Sequence, residues 1–305
     1  MIFQNTIKDI IDLEGVGLHN GIKVNLCIKP AEINFGIKFK RLDIDDDKNI
    51  IEANYKNVSS PILCTKIKNN YDISISTVEH LMAAFYGEGI DNALVEINAP
   101  EVPIMDGSSF DFVEAIRLAG IQKQNCEKKF IQVLKKIEIK DGTKHISIEP
   151  LDKDLIIDFE IVYQNALIKT RRKEFKLSEG NLTSIYNSRT FCLYEDIDQI
   201  KKQGLAKGGS LDNAIVVKEN RILNENGLRH RHEFVEHKIL DCLGDLMLSG
   251  HRIFGHIKTS QGGHQLTNAL LRKFLSDKTN WKFVTFEDKE ENKDNIYSKP
   301  IAVGA

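Results

Sequence analysis

The segment Glu236-His237-Lys238-Ile239-Leu240-Asp241-Cys242-Leu243-Gly244-Asp245 decides how the rest of the chain is interpreted. Positions i, i+4 and i+8 of an α-helix stack along one face, so His237, Asp241 and Asp245 would form a single polar stripe. Apolar residues at helical spacing would hold the opposite face in a core, namely Ile239, Leu240, Leu243, Leu246 and Met247. Two carboxylates on one helix face need a positive partner. A divalent metal bound by His237 and Asp241 would supply it.

The His-x-x-x-Asp spacing also has a simpler interpretation. A histidine and an aspartate one helical turn apart form an ordinary surface pair, worth a few tenths of a kcal/mol. Because the motif is short, on its own it favours this surface pair over a metal site. Further ligands elsewhere in the chain are therefore needed before a metal is indicated.

Composition limits the class of protein. The 305 residues suggest about two domains, and 41% hydrophobic with 28% charged residues is typical of a globular protein. A net charge of -2 gives no electrostatic case for binding nucleic acid or for permanent membrane attachment. The N-terminus lacks a basic region followed by an apolar run, and no segment reaches about 18 uninterrupted apolar residues. We expect a cytoplasmic monomer without a transmembrane segment that contacts membranes at most transiently.

The cysteines argue against a thiolate metal site. They are odd in number, widely spaced and without a Cys-x-x-Cys pair: Cys27, Cys64, Cys126, Cys192 and Cys242. This usage is typical of reduced, small apolar residues. A metal in this chain would therefore be held by histidine and carboxylate ligands.

The alternation of β-rich runs and helical patterns predicts an α+β protein. We expect strands at residues 24–28, 36–39, 93–97, 130–134, 145–148, 155–159 and 214–217. We expect helices from Ser76-Thr77 to Phe85, stopped by Gly87 and Gly89, then at 110–119, through the opening segment, and at 268–275. The polar residues 121–129 are interpreted as a linker without regular structure, and the charged run 287–295 as solvated surface.

A short internal echo suggests that the two halves of the chain have a similar build. Val78-Glu79-His80 and Val235-Glu236-His237 each occur in an apolar helical segment with a glycine seven residues after the histidine, Gly87 and Gly244. The match is only three residues long, so it is weak evidence of duplication. It nevertheless predicts two similar domains, residues 1–124 and 125–305, each with a mainly antiparallel sheet packed on helices.

Glu79 and His80 supply the second set of candidate site residues. If His80 joins His237 and Asp241, two imidazoles and one carboxylate leave a fourth metal position open for water, as in catalytic zinc sites. Glu79 could then take a proton from that water. However, Ser76-Thr77-Val78-Glu79 also fits a helix capping box, and helix physics alone favours that role for Glu79. For an isolated His80, a core histidine is likewise the better interpretation.

His264 is the candidate general acid. In Gly262-Gly263-His264 the imidazole follows a flexible glycine turn, where it can approach a ligand closely. Asp245, one turn beyond Asp241, could orient His264 and keep it protonated. An exposed loop histidine without a function explains the pattern equally well.

At this point the sequence resembles the bacterial UDP-3-O-acyl-N-acetylglucosamine deacetylases. The resemblance runs from Gly15 to Asp288 and rests on six motifs: Ser76-Thr77-Val78-Glu79-His80-Leu81, Gly89-Ile90-Asp91-Asn92, Asn98-Ala99-Pro100-Glu101-Val102-Pro103-Ile104-Met105-Asp106-Gly107-Ser108, Arg189-Thr190-Phe191, Gly208-Gly209-Ser210 and Glu233-Phe234-Val235-Glu236-His237-Lys238-Ile239-Leu240-Asp241. It implies two sandwich-like α+β domains, each with a small insert. It also implies hydrolysis of the N-acetyl group of a UDP-3-O-acylated sugar in lipid A biosynthesis.

The resemblance implies roles for individual residues. One Zn²⁺ per chain, with Fe²⁺ as the alternative ion, would be bound by His80, His237 and Asp241. Glu79 would be the base and His264, supported by Asp245, the acid, while Thr190 would help to hold the oxyanion. Lys238 and Lys144 would lie near the diphosphate and Phe159 against the uracil. The insert at 197–217 would form an apolar passage for the acyl chain. The remaining substrate-binding candidates are Phe191, Leu18, Leu63, Ile197, Ala214 and Val216.

Two other functions stay open on the sequence. A zinc amidohydrolase acting on a different acylated amine would have the same site with another pocket. A non-catalytic module that binds nucleotide sugars would keep the fold, but it has no need of a base such as Glu79 beside a metal. Dependence of turnover on the 3-O-acyl chain separates the first alternative from the deacetylase.

Overall fold

The computed structural model describes residues 1–45 and 47–286. These residues form six α-helices and twenty β-strands in several mostly antiparallel sheets. The predicted α+β class is confirmed, whereas the charged run 287–295 lies outside the described residues. No helix in the described part is long and apolar enough to cross a bilayer.

The first half contains one large sheet and a small one. Its elements are β1 (Phe3–Ile7), β2 (Ile11–Val16), β3 (Lys23–Pro30), β4 (Ile37–Arg41), β5 (Ile50–Glu52), β6 (Val58–Ser60), β7 (Lys66–Lys68), β8 (Ser74–Ile75), α1 (Glu79–Glu88), β9 (Ala93–Ile97) and α2 (Phe110–Ala119). The large sheet has the order β2-β3-β9-β4-β5, and β6, β7 and β8 form a separate insert between β5 and α1.

The second half repeats this plan at larger size. Its elements are β10 (Ile121–Glu127), β11 (Phe130–Val133), β12 (Ile137–Asp141), β13 (Lys144–Glu149), β14 (Leu155–Ile161), β15 (Arg171–Lys176), α3 (Thr183–Tyr186), β16 (Phe191–Leu193), α4 (Tyr194–Lys202), β17 (Ile215–Lys218), β18 (Arg221–Ile222), α5 (Glu233–Met247), β19 (Arg252–Ser260), α6 (His264–Ser276) and β20 (Trp281–Val284). Strands β16, β17 and β18 form its insert.

Five of the seven strands in the large sheet of the second half repeat the strand order of the first large sheet, and β11 and β20 extend it. In the second half, β12, β13, β19, β14 and β15 pair in the same sequence as β2, β3, β9, β4 and β5. Each set has one parallel pair, β4 with β9 and β14 with β19, at the equivalent place. Each also has its insert before the central helix and a further helix after the central strand. This repeated topology agrees with the echo in the sequence.

The predicted boundary between residues 124 and 125 stays a prediction. The expectation that residues 121–129 lack regular structure is wrong, because β10 runs across this boundary and pairs antiparallel with β1. Its side chains are mostly exposed, so the polar composition reflects a solvated two-stranded ribbon and not an unstructured linker. Polar strands of this kind give little hydrophobic periodicity to detect.

The central helices α1 and α5 pack against each other and are buried on nearly all sides. A helix that is buried all round belongs to a core. The core around α1 and α5 also contains ionisable residues from both helices. The close approach depends on Gly244, since a Cβ there would overlap the backbone carbonyl of Glu79. The glycine of the sequence echo thus lets the two site-bearing helices meet.

The predicted strands are all present, with ends that differ by no more than two residues, and α2 has the predicted ends. The start of α1 was placed too early. Thr77 has φ +58° and donates its hydroxyl to Glu101, so the helix begins only at Glu79. Gly87 does not stop the helix but lies inside it beneath Tyr186, and Gly89 ends it with φ +86°. Helix α6 begins at His264, earlier than predicted.

Candidate metal centre and catalytic site

Three buried side chains form a compact group of potential metal ligands. His80 Nε2 lies 3.6 Å from Asp241 Oδ1, and His237 Nε2 lies 3.4 Å from the same oxygen. One nitrogen or oxygen from each residue lies within 4.8 Å of the other two. Helix α1 supplies His80 and one face of α5 supplies the other two. Both halves of the chain therefore contribute to the group.

The surroundings of His237 prepare it to bind a cation. Its Nδ1 lies 3.0 Å from the carbonyl oxygen of Ser188 and donates to it, which leaves Nε2 pointing at Asp241. Burial lowers the pKa of His237 to about 3, so the imidazole is neutral at physiological pH. A neutral ring held by a carbonyl on its far nitrogen is the usual form of a histidine metal ligand.

Asp241 is the negative centre of the group. Burial opposes its ionisation, but the ammonium of Lys238 and the imidazolium of His264 help to hold the pKa of this carboxyl well below its usual range. Lys238 Nζ lies 2.9 Å from Asp241 Oδ2. Burial would lower the pKa of Lys238, yet the adjacent Asp241 charge outweighs it and raises that pKa to about 12. Oδ1 faces the two histidines and Oδ2 faces the lysine.

Glu79 is not a helix cap. Its Oε2 accepts the backbone N–H of Thr65 at 3.0 Å, and α1 has no side-chain capping bond at its start. Glu79 is 3% exposed, and burial raises the pKa of its carboxyl, although His264 and His80 act in the opposite direction. A raised pKa makes a carboxylate a stronger base.

His264 is buried at the start of α6 and does not lie on an exposed glycine turn. Its Nδ1 lies 2.8 Å from Asp245 Oδ2, and its Nε2 lies 3.7 Å from Glu79 Oε1. Burial would lower the pKa of His264, but the charges of Asp245 and Glu79 raise it to about 10. The imidazole is therefore cationic at neutral pH and faces the candidate base.

A second group with similar spacing lies on the C-terminal sheet. One atom each of Asp158, Glu174 and His256 falls within the same 4.8 Å limit. Asp158, however, already accepts two hydrogen bonds from the guanidinium of Arg172, which holds the pKa of this carboxyl low. A cation, the guanidinium of Arg172, therefore already contacts this second group. None of its three residues lines the cavity beside the candidate site, which is described next.

A cavity of about 720 Å³ opens beside the candidate site residues. Its wall is largely apolar and is formed by both inserts together with the start of α6. All but one of the predicted substrate-binding residues line it: Leu18, Leu63, Lys144, Phe191, Ile197, Ala214, Val216 and Lys238. Thr190, predicted to help hold the oxyanion, lines it as well. His264 also reaches the wall, so the cavity leads to the candidate acid.

Residues 4–276 match the family model described as UDP-3-O-acyl N-acetylglycosamine deacetylase. The chain is 46% identical over 294 residues to a UDP-3-O-acyl-N-acetylglucosamine deacetylase of Histophilus somni, covering 95% of this chain and 96% of the relative. It is 44% identical over 304 residues to one of Teredinibacter turnerae, covering 99% of each, and 43% identical over 293 residues to one of Vibrio campbellii, covering 95% of each. The chain belongs to this deacetylase family. The resemblance seen in the motifs is confirmed.

Thr190 is fixed at the junction of the two halves of the chain. Its N–H donates to Gly107 at 2.7 Å, and its carbonyl accepts from Ile215 at 2.8 Å. Gly107 has φ +88°, and a Cβ there would overlap the carbonyl of Asn213. Only glycine suits this close approach of the backbone at Gly107 to that at Asn213, which explains the glycine of the motif Asp106-Gly107-Ser108.

Phe159 is the exception among the predicted substrate-binding residues of the deacetylase. It is 2% exposed and does not line the cavity. Alternation along β14 turns Leu155, Ile157 and Phe159 toward the core, with the Phe159 ring beneath Gly262. Tyr163 takes a place on the wall instead, with its ring 5.7 Å from that of Phe191.

Two further residues of the deacetylase site were not predicted. Ser188 holds His237 through its backbone carbonyl, and Thr65 contacts both Glu79 and Asp245. The contacts to His237 and Glu79 use a backbone carbonyl and a backbone N–H, which every non-proline residue has, so the sequence carries no signal for them. The Thr65 hydroxyl meets Asp245 across 180 positions of the chain, and only the tertiary fold brings the two together. Tyr163 could have been found as an aromatic residue close after the predicted strand at 155–159.

Proposed function

We propose that this chain hydrolyses the N-acetyl group of UDP-3-O-acyl-N-acetylglucosamine, giving UDP-3-O-acyl-glucosamine and acetate, as a step of lipid A biosynthesis. The observation that carries the proposal is the pairing of Glu79 with cationic His264 at 3.7 Å, beside the buried ligand group. Amide hydrolysis needs both, because the attacking water must lose a proton and the leaving amine must gain one. The names of the relatives support this substrate.

His80, His237 and Asp241 would hold one Zn²⁺, with Fe²⁺ as the alternative ion. Two imidazoles and one carboxylate are a donor set of catalytic zinc sites, which keep a further position open. The donors fit because His237 is neutral and Asp241 ionised, the two states required for coordination. When bound, the ion would act as a Lewis acid toward the amide carbonyl and would acidify the water.

The proton transfers fall to residues of this chain. Glu79 accepts a proton from the attacking water as the oxygen of that water bonds to the carbonyl carbon. Thr190 lines the cavity, where its hydroxyl would donate to the oxyanion that develops. His264 then donates a proton to the amide nitrogen as the C–N bond breaks, which releases the amine and acetate. Asp245, bound to His264 Nδ1, stabilises the imidazolium before that step.

The cavity suits an acylated nucleotide sugar. Apolar residues of both inserts, among them Leu63, Ile197 and Val216, offer a surface for an acyl chain. Lys144 and Lys238 line the same cavity and would approach the diphosphate. Placement of the uracil at Phe159, a cytoplasmic location and a monomeric state stay predictions.

One assay tests the proposed function and separates it from the alternatives. Acetate release from UDP-3-O-acyl-N-acetylglucosamine is followed by mass spectrometry, with and without a chelator, and in parallel on the same substrate without its 3-O-acyl chain. We expect chelator-sensitive release that falls sharply without the chain. Equal turnover of both substrates would indicate an amidohydrolase for another acylated amine. Binding without release would indicate a nucleotide-sugar binding module.

A further inference from the structure

Thr65 contacts both the candidate base and the residue behind the candidate acid. Its backbone N–H donates to Glu79 Oε2 at 3.0 Å, and its hydroxyl donates to Asp245 Oδ1 at 2.6 Å. Thr65 is 2% exposed and both carboxylates are buried, so bulk water does not compete for these bonds. A single residue thus restrains side chains from α1 and α5, the central helices of the two halves.

The two oxygens of Asp245 have different partners. Oδ1 accepts from Thr65, while Oδ2 lies 2.8 Å from His264 Nδ1. Two separate donors fix the plane of the carboxylate, and that plane fixes the His264 ring, whose Nε2 faces Glu79. The last torsion of an aspartate side chain is otherwise broad. Without the Thr65 hydroxyl, one of the two restraints on Asp245 is lost.

We propose that Thr65 is a positioning residue for the proton transfers of the deacetylation. Its hydroxyl orients Asp245, and thereby His264, while its N–H orients Glu79. The inference rests on the proposed function, because it concerns the same acid and base. Small misplacements of such groups slow the chemical step more than they weaken substrate binding.

Thr65→Val tests the hydroxyl, because valine keeps the shape of the side chain and the backbone N–H to Glu79. We expect kcat for acetate release to fall by about tenfold or more with KM changed less than about twofold. Thr65→Ser keeps a hydroxyl and should restore kcat to within about threefold of the wild-type value. Bound metal, measured in parallel, should stay at the wild-type level in both variants, and the Tm of Thr65→Val should fall no further than that of a control variant that loses another buried hydroxyl.

Thr6→Val is the matched control. Thr6 is similarly buried, at 3% exposure, and lies away from the cavity. Its hydroxyl donates to the Asn92 carbonyl at 2.7 Å and accepts the Ala31 N–H at 3.0 Å. This variant loses a buried hydroxyl of the same kind without touching the acid and base. We expect any loss of Tm to resemble that of Thr65→Val, whereas kcat should stay near wild type.

A double-mutant cycle decides between positioning and a merely structural role. In an Asp245→Ala background the Thr65 hydroxyl has no carboxylate to orient, so adding Thr65→Val should change kcat by less than about twofold. A further tenfold loss of kcat in the Asp245→Ala background, or a wild-type kcat in Thr65→Val alone, would overturn the inference. The proposed function would still stand in either case, provided that the wild-type chain releases acetate. If the wild-type chain releases no acetate, the proposed function fails and the inference fails with it.

Discussion

His264 Nδ1 and Asp245 Oδ2 lie 2.8 Å apart in a buried hydrogen bond. The bond joins the start of α6 to the far part of α5 and leaves His264 Nε2 directed at Glu79. Burial alone would discharge the imidazole, but Asp245 and Glu79 raise the pKa of His264 to about 10. The hydrogen bond and the nearby charges thus keep protonated a histidine that would otherwise be neutral in a core.

Asp245→Asn should move the basic limb of the activity profile to lower pH. An acid must be protonated to act, so activity is lost as the pH rises through its pKa, and removal of the Asp245 charge lowers the pKa of His264. The check is kcat/KM against pH for both proteins. The exposed Asp72, paired with Lys68, provides the control Asp72→Asn. An unmoved basic limb in Asp245→Asn would remove His264 from the role of acid.

Asp241→Ala should abolish both tight metal binding and activity. Its carboxylate is the only one in the ligand group and lies within 3.6 Å of both histidine nitrogens. Elemental analysis of the purified variant measures the metal, and circular dichroism checks the fold. His256→Ala is the control from the second His and carboxylate group and should keep one metal per chain. Full metal content in Asp241→Ala would exclude this residue as a ligand.

The apolar cavity should make turnover depend on acyl-chain length. Each buried methylene contributes about 0.8 kcal/mol, so substrates several carbons shorter should lose orders of magnitude in kcat/KM. Ile197→Ala, on the cavity wall, should reduce kcat/KM for the long-chain substrate more than for the short one. Leu118→Ala, at a leucine that is 87% exposed on α2, should change neither. Kinetics independent of chain length would contradict an acyl passage here.

Glu149 should contribute to stability in acid. Hydrogen bonds from Lys136 and Lys258 lower the pKa of its carboxyl to about 2. Because the folded pKa lies below the unfolded value, the contribution is present above about pH 4.5 and is lost as the pH falls toward 2. Urea unfolding between these limits should show a weaker pH dependence for Glu149→Gln than for wild type. Parallel curves for the two proteins would argue against this ion-pair contribution.

The sequence predicted the fold well where the pattern is hydrophobic. The strands at 93–97 and 155–159 and the helix at 110–119 have strong periodicity and occur where expected. Strand β10 was missed because its polar side chains are held by pairing with β1, a partner more than a hundred residues away. The start of α1 was misplaced because the capping motif cannot reveal that Thr77 takes a positive φ and bonds Glu101.

The ionisable residues of the site could be predicted, whereas their supports could not. His80, Glu79 and His264 come together because α1, α5 and α6 meet in one core, and family motifs mark these side chains. The contacts of Thr65 and Ser188 depend on tertiary placement of a backbone N–H and a carbonyl. Phe159 was predicted to lie against the uracil, and that assignment stays a prediction, although strand alternation turns the side chain into the core.

The most direct test of the account is kcat of Glu79→Gln together with its metal content. Glutamine keeps an oxygen that can accept the Thr65 N–H, but it cannot take a proton from water. We predict that the variant binds one metal per chain and that kcat falls on the order of a hundredfold or more. Near-wild-type turnover with the metal bound would contradict the assignment of Glu79 as the base and, with it, the acid and base mechanism proposed for this site.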